Sequence, residues 1–149
     1  MFPIKKILCT TDFSDPSFKA LIAGGELAEK FGAQLMVLHI VEKVPDLPAL
    51  PTNPTIDITL YQKKLEEMAL ITLDTIVSDK IKGKVSPELI IGQGRAAEEI
   101  VETATDKGAD LIVIGTHGET GFRHFILGSV TEKVIRLSSC PVLTVHAEN

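Results

Sequence analysis

Four glycines lie within fifteen residues in the stretch GTHGETGFRHFILGS, which spans positions 115 to 129. Gly115 and Gly118 follow an apolar run typical of a strand, and Gly128 stands at the entrance of a helical pattern. Glycine permits left-handed backbone and lets a ligand approach the main chain closely. The first amides of a helix have no intrahelical partners, and the helix dipole adds positive charge beside them. The stretch therefore predicts a phosphate site without lysine, formed by the amides of Ser129, Val130 and Thr131 and the hydroxyls of Ser129 and Thr131.

Ser129 has a second interpretation, as the N-cap of the helix that follows it. With Glu132 three residues later it matches a capping box, S-x-x-E. This interpretation accounts for Ser129 and Glu132 but gives the three glycines no role. Both interpretations remain open at this point.

Asp12 is the second candidate binding residue, because it follows the first apolar run in the stretch CTTDFS. In a parallel sheet of strand order 3-2-1-4-5, the first and fourth strands are neighbours. Asp12 would then face the loop at 115–118, where its carboxylate could accept from a ribose hydroxyl or hold a divalent ion beside phosphates. The alternative is a turn aspartate that opens the next helix.

A different glycine motif, GQGRAA, places Gly92, Gly94 and Ala97 in the spacing of a dinucleotide fingerprint. That fingerprint normally belongs to the first strand–helix unit and expects an acid at the end of the next strand. The next strand instead ends at Ile114 and Gly115 and is followed by Thr116 and His117. A tight strand-to-helix turn is therefore the favoured interpretation.

Elements that would position these residues alternate along the chain. Near-continuous apolar runs predict strands that are buried on both faces, as in a parallel sheet. Helical patterns lie between them, and Ser14 and Gly32 are suited to begin and end the first. The order predicts a doubly wound five-stranded parallel sheet with helices on both faces and a ligand site at the carboxyl ends of the strands. The predicted strands lie at 7–9, 34–41, 88–91, 110–115 and 141–146, and the predicted helices follow Ser14 and cover about 56–81, 96–107 and 129–137.

The apolar stripes of the first two helices name the residues expected to face the sheet. In the first helix they are Ala20, Leu21, Leu27, Ala28 and Phe31. In the second they are Leu65, Met68, Ala69, Leu73, Ile76 and Val77.

Length and composition set limits on the class of protein. A chain of 149 residues favours one domain, and a net charge of −5 without a basic cluster argues against a duplex nucleic-acid partner. The sequence shows neither a signal peptide nor an apolar run of membrane-spanning length, so we expect a cytoplasmic protein. Cys9 and Cys140 lie in predicted buried strands and are interpreted as inert thiols, and His39 as a hydrogen-bonded structural histidine. The proline-rich segment at 42–55 is either a stiff connector or a flap over the site.

Taken together, these motifs resemble the nucleotide-binding branch of the universal stress protein family. Its signature, G-x2-G-x9-G-[ST], is matched without a gap by Gly115, Gly118, Gly128 and Ser129. The stretches ILCTTDFS, LHIVE and GSVTEKVIRLSSCPVLTV also resemble the family. The resemblance covers essentially the whole chain, as one domain at 1–149, except the proline-rich segment, and it departs from some ATP-binding relatives at Thr10, where they carry proline.

The resemblance implies a sheet of order 3-2-1-4-5, ATP binding, and a homodimer formed through the last strand, Pro141 to His146. Residue by residue, it places Thr11, Asp12 and Val41 at the adenosine end, and Ile114 and Gly115 at the fourth strand. It assigns ribose and phosphates to Gly118, Gly128, Ser129, Val130 and Thr131.

From these observations we expect a cytoplasmic ATP-binding stress protein that works as a nucleotide-dependent sensor or regulator. Asp12 with Mg²⁺ or Mn²⁺ would support slow ATP hydrolysis at most, because no residue set supplies an obvious base for water. ADP or AMP is an alternative ligand. Two other functions remain open: a nucleotide-free dimeric interaction module of the same fold, and an enzyme that uses an adenylated substrate.

Overall fold

Strands and helices alternate through the parts of the chain that the computed structural model describes, residues 3–45, 57–83, 85–116 and 127–146. None of the described helices combines the length and apolar character needed to cross a membrane. In chain order the elements are β1 (Lys6–Thr10), α1 (Asp15–Phe31), β2 (Gln34–Val41), α2 (Ile58–Lys80), β3 (Glu88–Gln93), α3 (Ala96–Lys107), β4 (Leu111–Gly115), α4 (Ser129–Leu137) and β5 (Val142–Val145).

The five strands form one parallel sheet of order β3-β2-β1-β4-β5. In the register of the central strand, Leu8 lies beside Met36 of β2 and Ile112 of β4. The predicted fold and strand order are confirmed. Since β1 connects to β2 on one side and neighbours β4 on the other, the strand order reverses between β1 and β4, which is where open α/β sheets bind ligands.

Each face of the sheet has its own hydrophobic core, because successive side chains of a strand point to opposite faces. Ile7 and Cys9 of β1 belong to the core beneath α1 and α2. Leu8, between them, belongs to the core beneath α3 and α4, where it lies with Val134. This double burial explains why the strand sequences are almost continuously apolar.

Helix boundaries follow the predicted capping residues closely. Ser14 is the N-cap of α1, and Gly32 ends that helix in the left-handed region with φ of 63°. Gly108 ends α3 in the same way, with φ of 64°. The second helix begins two residues later than predicted, because Asp57 caps it by accepting a hydrogen bond from the Leu60 amide at 3.0 Å.

Two side chains of the predicted apolar stripes do not face the sheet. Met68 is 64% exposed and Phe31 is 43% exposed. The face of α2 that contacts the sheet is instead centred on Ala69, Leu73 and Val77, and Met68 lies about a quarter-turn from Ala69. The prediction was wrong for both residues because apolar residues occupy more than one side of these helices.

The two cysteines differ in environment. Cys9 is fully buried in β1, and burial raises the pKa of its thiol to about 12, which supports the prediction of an inert thiol. Cys140 precedes β5 and is only partly buried. Its predicted place inside a buried strand was wrong, because the strand begins two residues later.

Candidate functional site

A cavity of about 380 Å³ opens at the carboxyl ends of β1, β2 and β4, beside the first turns of α3 and α4. Its volume lies within the usual range for small-molecule sites. The position coincides with the reversal of strand order. The lining residues are Thr10, Thr11, Asp12, Ser17, Leu38, Ile40, Glu42, Ala96, Ile100, Ile114, Gly115, Gly128, Ser129, Val130 and Thr131.

The first turn of α4 brings backbone amides to this cavity. Gly128 is the N-cap, and the first backbone bond of the helix runs from the Glu132 amide to the Gly128 carbonyl at 2.9 Å. Within the described ranges, the amides of residues 129–131 have no acceptor. Ser129 therefore occupies the first helical position rather than the N-cap, and the capping-box interpretation was wrong.

The Thr131 hydroxyl has a different role from the one predicted. Its side chain is 4% exposed, and its hydroxyl donates to the Gly115 carbonyl at 2.8 Å. The Gly128 amide donates to the Thr116 carbonyl at 2.7 Å. These two bonds attach the start of α4 to the end of β4, so the hydroxyl of Thr131 positions the helix in this structure. The predicted phosphate contact of Thr131 stays a prediction for its backbone amide.

Close packing, rather than a left-handed backbone, favours glycine at position 115. A Cβ at this position would lie 3.3 Å from the Pro16 carbonyl oxygen and 3.4 Å from the Ser17 Cα, at the first turn of α1. Its φ lies outside the positive range. The glycine thus lets α1 approach β4 closely. Gly115 also lines the cavity, and its predicted contact with a nucleotide stays a prediction.

The turn after β1 is held by local side-chain bonds. The Thr11 hydroxyl lies 2.8 Å from the Ser17 hydroxyl and accepts from the Phe13 amide at 3.0 Å. Asp12 Oδ1 accepts from the Ser14 amide at 3.1 Å and from the Ser14 hydroxyl. The interpretation of Asp12 as a turn aspartate that opens α1 is confirmed for this oxygen, while the residue also lines the cavity.

His39, on β2, contacts the same turn. Its Nδ1 lies 2.9 Å from the Thr11 carbonyl oxygen, and because a carbonyl only accepts, Nδ1 carries the hydrogen. The imidazole stacks on Phe13 with ring centroids 3.8 Å apart. Phe13 has φ of 67°, an uncommon value for a residue with a side chain. Burial lowers the pKa of His39, and the prediction of a hydrogen-bonded structural histidine is confirmed.

Of the remaining predicted residues, Ile114 lines the cavity and Val41 does not. The Val41 carbonyl accepts from the Gly94 amide at 3.2 Å. Gly94 has φ of 131°, which confirms the interpretation of GQGRAA as a tight strand-to-helix turn. Gly118 lies outside the described residues.

Sequence reasoning missed the apolar side of the cavity, formed by Leu38, Ile40, Ala96 and Ile100. Ile40 stands next to Val41, on the opposite face of β2. The sequence contains a signal for this apolar side, because Ala96 and Ile100 follow the GQGR turn directly and are four residues apart, on one face of a helix.

The exit of β2 is held by a buried glutamine on α2. Gln62 Oε1 accepts from the Val44 amide at 2.9 Å, and its Nε2 donates to the Glu42 carbonyl at 3.4 Å. These bonds set the position of Glu42 at the cavity. Positions 46–55 of the proline-rich segment lie outside the described residues, so the choice between connector and flap stays a prediction.

The charged groups of the lining, within the described parts of the chain, are the carboxylates of Asp12 and Glu42. No group of three His, Cys, Asp or Glu side chains in those parts is arranged to hold a metal ion. Among the described residues, the groups that attract an anion to this site are the α4 amides and the helix dipole.

Comparisons with known proteins agree with this architecture. The model of the universal stress protein family matches residues 3–146. The universal stress protein YxiE of Bacillus subtilis is 35% identical over 145 residues, covering 95% of this chain and 98% of the relative. Universal stress protein MJ0577 of Methanocaldococcus jannaschii is 33% identical over 156 residues, covering 97% of this chain and 96% of the relative.

Solved structures show the same fold. The structure of MJ0577 matches with a TM-score of 0.76 at 30% identity and covers 98% of each chain. A universal stress protein in complex with cAMP matches with a TM-score of 0.67 at 23% identity, over 97% of this chain and 98% of that one. One from Archaeoglobus fulgidus in complex with dAMP has a TM-score of 0.57 at 22% identity, with the same shares covered. The chain therefore belongs to the universal stress protein family.

Proposed function

We propose that the chain binds an adenine nucleotide, ATP in the first instance, at the carboxyl ends of β1 and β4. The observation that carries this proposal is the set of amides at residues 129–131, which have no acceptor among the described residues, on one side of a cavity whose other side is apolar. A nucleotide has matching parts, because its phosphates accept from helix amides and its base packs on apolar side chains.

Solved structures of other universal stress proteins support an adenine nucleotide as the class of ligand. The structures in complex with cAMP and dAMP belong to proteins of the same fold, and both ligands combine adenine with phosphate. In this chain we assign the base to the side lined by Ile40 and Ile100, and the phosphates to the first turn of α4.

Asp12 and Thr11 would lie near the ribose, between the two ends of the cavity. A Mg²⁺ or Mn²⁺ ion bound to the phosphates would find its carboxylate ligand in Asp12, since such ions are bound through one or two carboxylates together with phosphate oxygens. Asp12 Oδ1 already accepts from Ser14, so the phosphates would supply most of the coordination.

We infer a nucleotide-dependent sensor or regulator in the cytoplasm, with slow hydrolysis at most. Of the two carboxylates in the described lining, Oδ1 of Asp12 is engaged in the turn, and Glu42 follows β2, which β1 separates from β4 in the sheet. Neither is placed to activate water at the phosphates.

The first test is chemical identification of the ligand. Purified protein would be heat-denatured, and the released small molecules identified by mass spectrometry. Titration calorimetry with ATP and with GTP, each with and without Mg²⁺, would then measure affinity and base preference. Release of an adenine nucleotide, or ATP binding stronger than GTP binding, supports the proposal. Absence of ATP binding up to about 1 mM would instead favour the nucleotide-free interaction module.

A pair of variants at Ser129 tests the amides directly. Ser129→Pro removes one amide donor yet suits the first helical position, where proline is favoured. Ser129→Ala removes only the hydroxyl. A hydrogen bond to a charged group contributes about 1.5–3 kcal/mol, so Ser129→Pro should weaken ATP binding about tenfold or more. Equal affinities for the proline variant and the native chain would place the phosphates elsewhere.

We also propose that the chain forms a homodimer through its last strand, within Pro141 to His146. β5 is an outer strand that pairs with β4 on one side, and its Leu143 side chain is 39% exposed. An apolar outer strand is a ready site for pairing with another strand. A second copy presents the same edge, which gives the twofold arrangement that is most common in oligomers.

A further inference from the structure

The outward face of α2 carries more apolar surface than a solvent-facing helix needs. Its inward face, with Ala69, Leu73 and Val77, already contacts the sheet. On the opposite side, Leu60 is 50% exposed and Ile71 is 68% exposed. Tyr61 and Met68 lie beside them and are 50% and 64% exposed. We call these four residues, together with Lys64 and Glu67, the outer α2 stripe.

Spacing within the stripe follows the seam of a coiled coil. Leu60, Lys64, Glu67 and Ile71 are separated by four, three and four residues, the pattern of alternating a and d positions. With 23 residues, α2 is about 34 Å long, which gives room for such a seam. A stripe of this kind fits along another helix.

The charges in the stripe indicate that the partner helix is α2 of a second copy. If a second α2 packs antiparallel about a twofold axis between residues 65 and 66, residue i lies opposite residue 131 − i. Lys64 then faces Glu67 of the second copy, and Leu60 faces its Ile71. Tyr61 and Met68 flank the same contact on one side. The stripe is therefore complementary to itself in both charge and apolar character.

Within the described residues, neither Lys64 nor Glu67 forms an ion pair. Both side chains are exposed, so their charges are available to a second copy. α2 packs on β2 and β3, at the opposite end of the sheet from β5. A contact through α2 can therefore exist together with a contact through β5.

We propose that the outer α2 stripe binds a second copy of the chain as an antiparallel pair of α2 helices, with Lys64 and Glu67 paired twice across the axis. The contact does not depend on nucleotide binding. It is a small interface, and small interfaces associate weakly, so it adds one concentration-dependent association step.

Charge reversal with rescue tests this arrangement. Sedimentation velocity would follow the native chain up to about 1 mM, because small interfaces need high concentrations. Lys64→Glu and Glu67→Lys each place like charges across the axis and should weaken the step at least about tenfold. The double variant Lys64→Glu/Glu67→Lys restores opposite charges and should recover it. Ile71→Glu should abolish it.

Glu102→Lys is the matched control, since it makes the same charge change as Glu67→Lys at an exposed position of α3. It should leave the association unchanged, and circular dichroism would show that each variant is folded. The proposal is overturned if the native chain and Ile71→Glu have the same mass at every concentration. It is also overturned if the double variant is as weak as the single ones, because the charges would then not face each other.

Discussion

Glycines of one signature serve different physical purposes in this chain. Gly115 is needed because a Cβ would press against the Pro16 carbonyl of α1. Gly128 has φ of −69° and ψ of 155°, which any residue can adopt, so its backbone does not require glycine. The spacing of a motif can identify such positions, but only the surrounding contacts reveal what each one is for.

Gly128→Val should abolish nucleotide binding while the fold is retained. The backbone angles at 128 suit valine, and its branched Cβ would occupy the entrance to the α4 amides. Titration calorimetry with ATP and thermal unfolding of the free protein would measure the two effects. Normal ATP affinity in this variant would show that the phosphates do not approach α4 past residue 128.

Gly115→Ala is the matched comparison, because it should lower the stability of the fold, which Gly128→Val should leave largely unchanged. Its methyl group would be forced against the main chain of α1, at 3.3 Å from an oxygen that cannot rotate away. Overpacking of this kind costs about 1–3 kcal/mol of unfolding free energy. A larger loss of stability in Gly128→Val than in Gly115→Ala would contradict the roles assigned to both.

His39 should make stability depend on pH. Burial lowers its pKa in the folded chain, so below about pH 6.5 the unfolded chain binds the proton first. The contribution of His39 to stability is therefore complete above pH 6.5 and is lost as pH falls from there through the lowered pKa. Urea unfolding at pH 7 and at pH 5.5 would measure the loss, which His39→Gln should reduce. His146→Gln, at an exposed position, should retain the loss caused by His39.

At the scale of elements, sequence patterns predicted the features that depend on local chemistry, such as the ends of helices. The end of α1 at Gly32 was predicted because a glycine suited to the left-handed region is a local signal, and Gly108 ends α3 in the same way. Side-chain direction was less predictable. Met68 was assigned to the core, although α2 has apolar residues on two sides and only contact with the sheet decides which side is buried.

Gly24 in α1 shows the same competition between local preference and packing. Alanine is favoured over glycine within a helix by about 1 kcal/mol. A Cβ at 24, however, would lie 3.0 Å from Cys9 Sγ and 3.2 Å from Cys9 Cβ on the central strand. Gly24→Ala should therefore lower the unfolding free energy, as urea denaturation would measure. The loss should be smaller in a Cys9→Ala background, and a net gain in the native background would contradict the packing argument.

At the scale of the whole molecule, the strand order creates the site. Ile7 of β1 is paired in register with Leu111 of β4, a residue that follows it in the chain only after two further strands and three helices. Alternation of strands and helices predicted a five-stranded parallel sheet, and the family resemblance implied the strand order that brings Asp12 and Gly115 into the same neighbourhood. The apolar side of the cavity was not predicted, because Ile40 and Ile100 meet only once β2 and α3 are assembled.

Assembly through β5 can be separated from assembly through α2, because the two lie at opposite ends of the sheet. Leu143→Glu places a charge on the exposed side of β5 and should remove the homodimer proposed there, since an unpaired carboxylate is costly to bury. Sedimentation velocity of Leu143→Glu, Ile71→Glu and the double variant would assign each step. Each single variant should lose one association step, and the double variant should remain a monomer at all concentrations. Retention of the dimer in Leu143→Glu would exclude β5 as its interface.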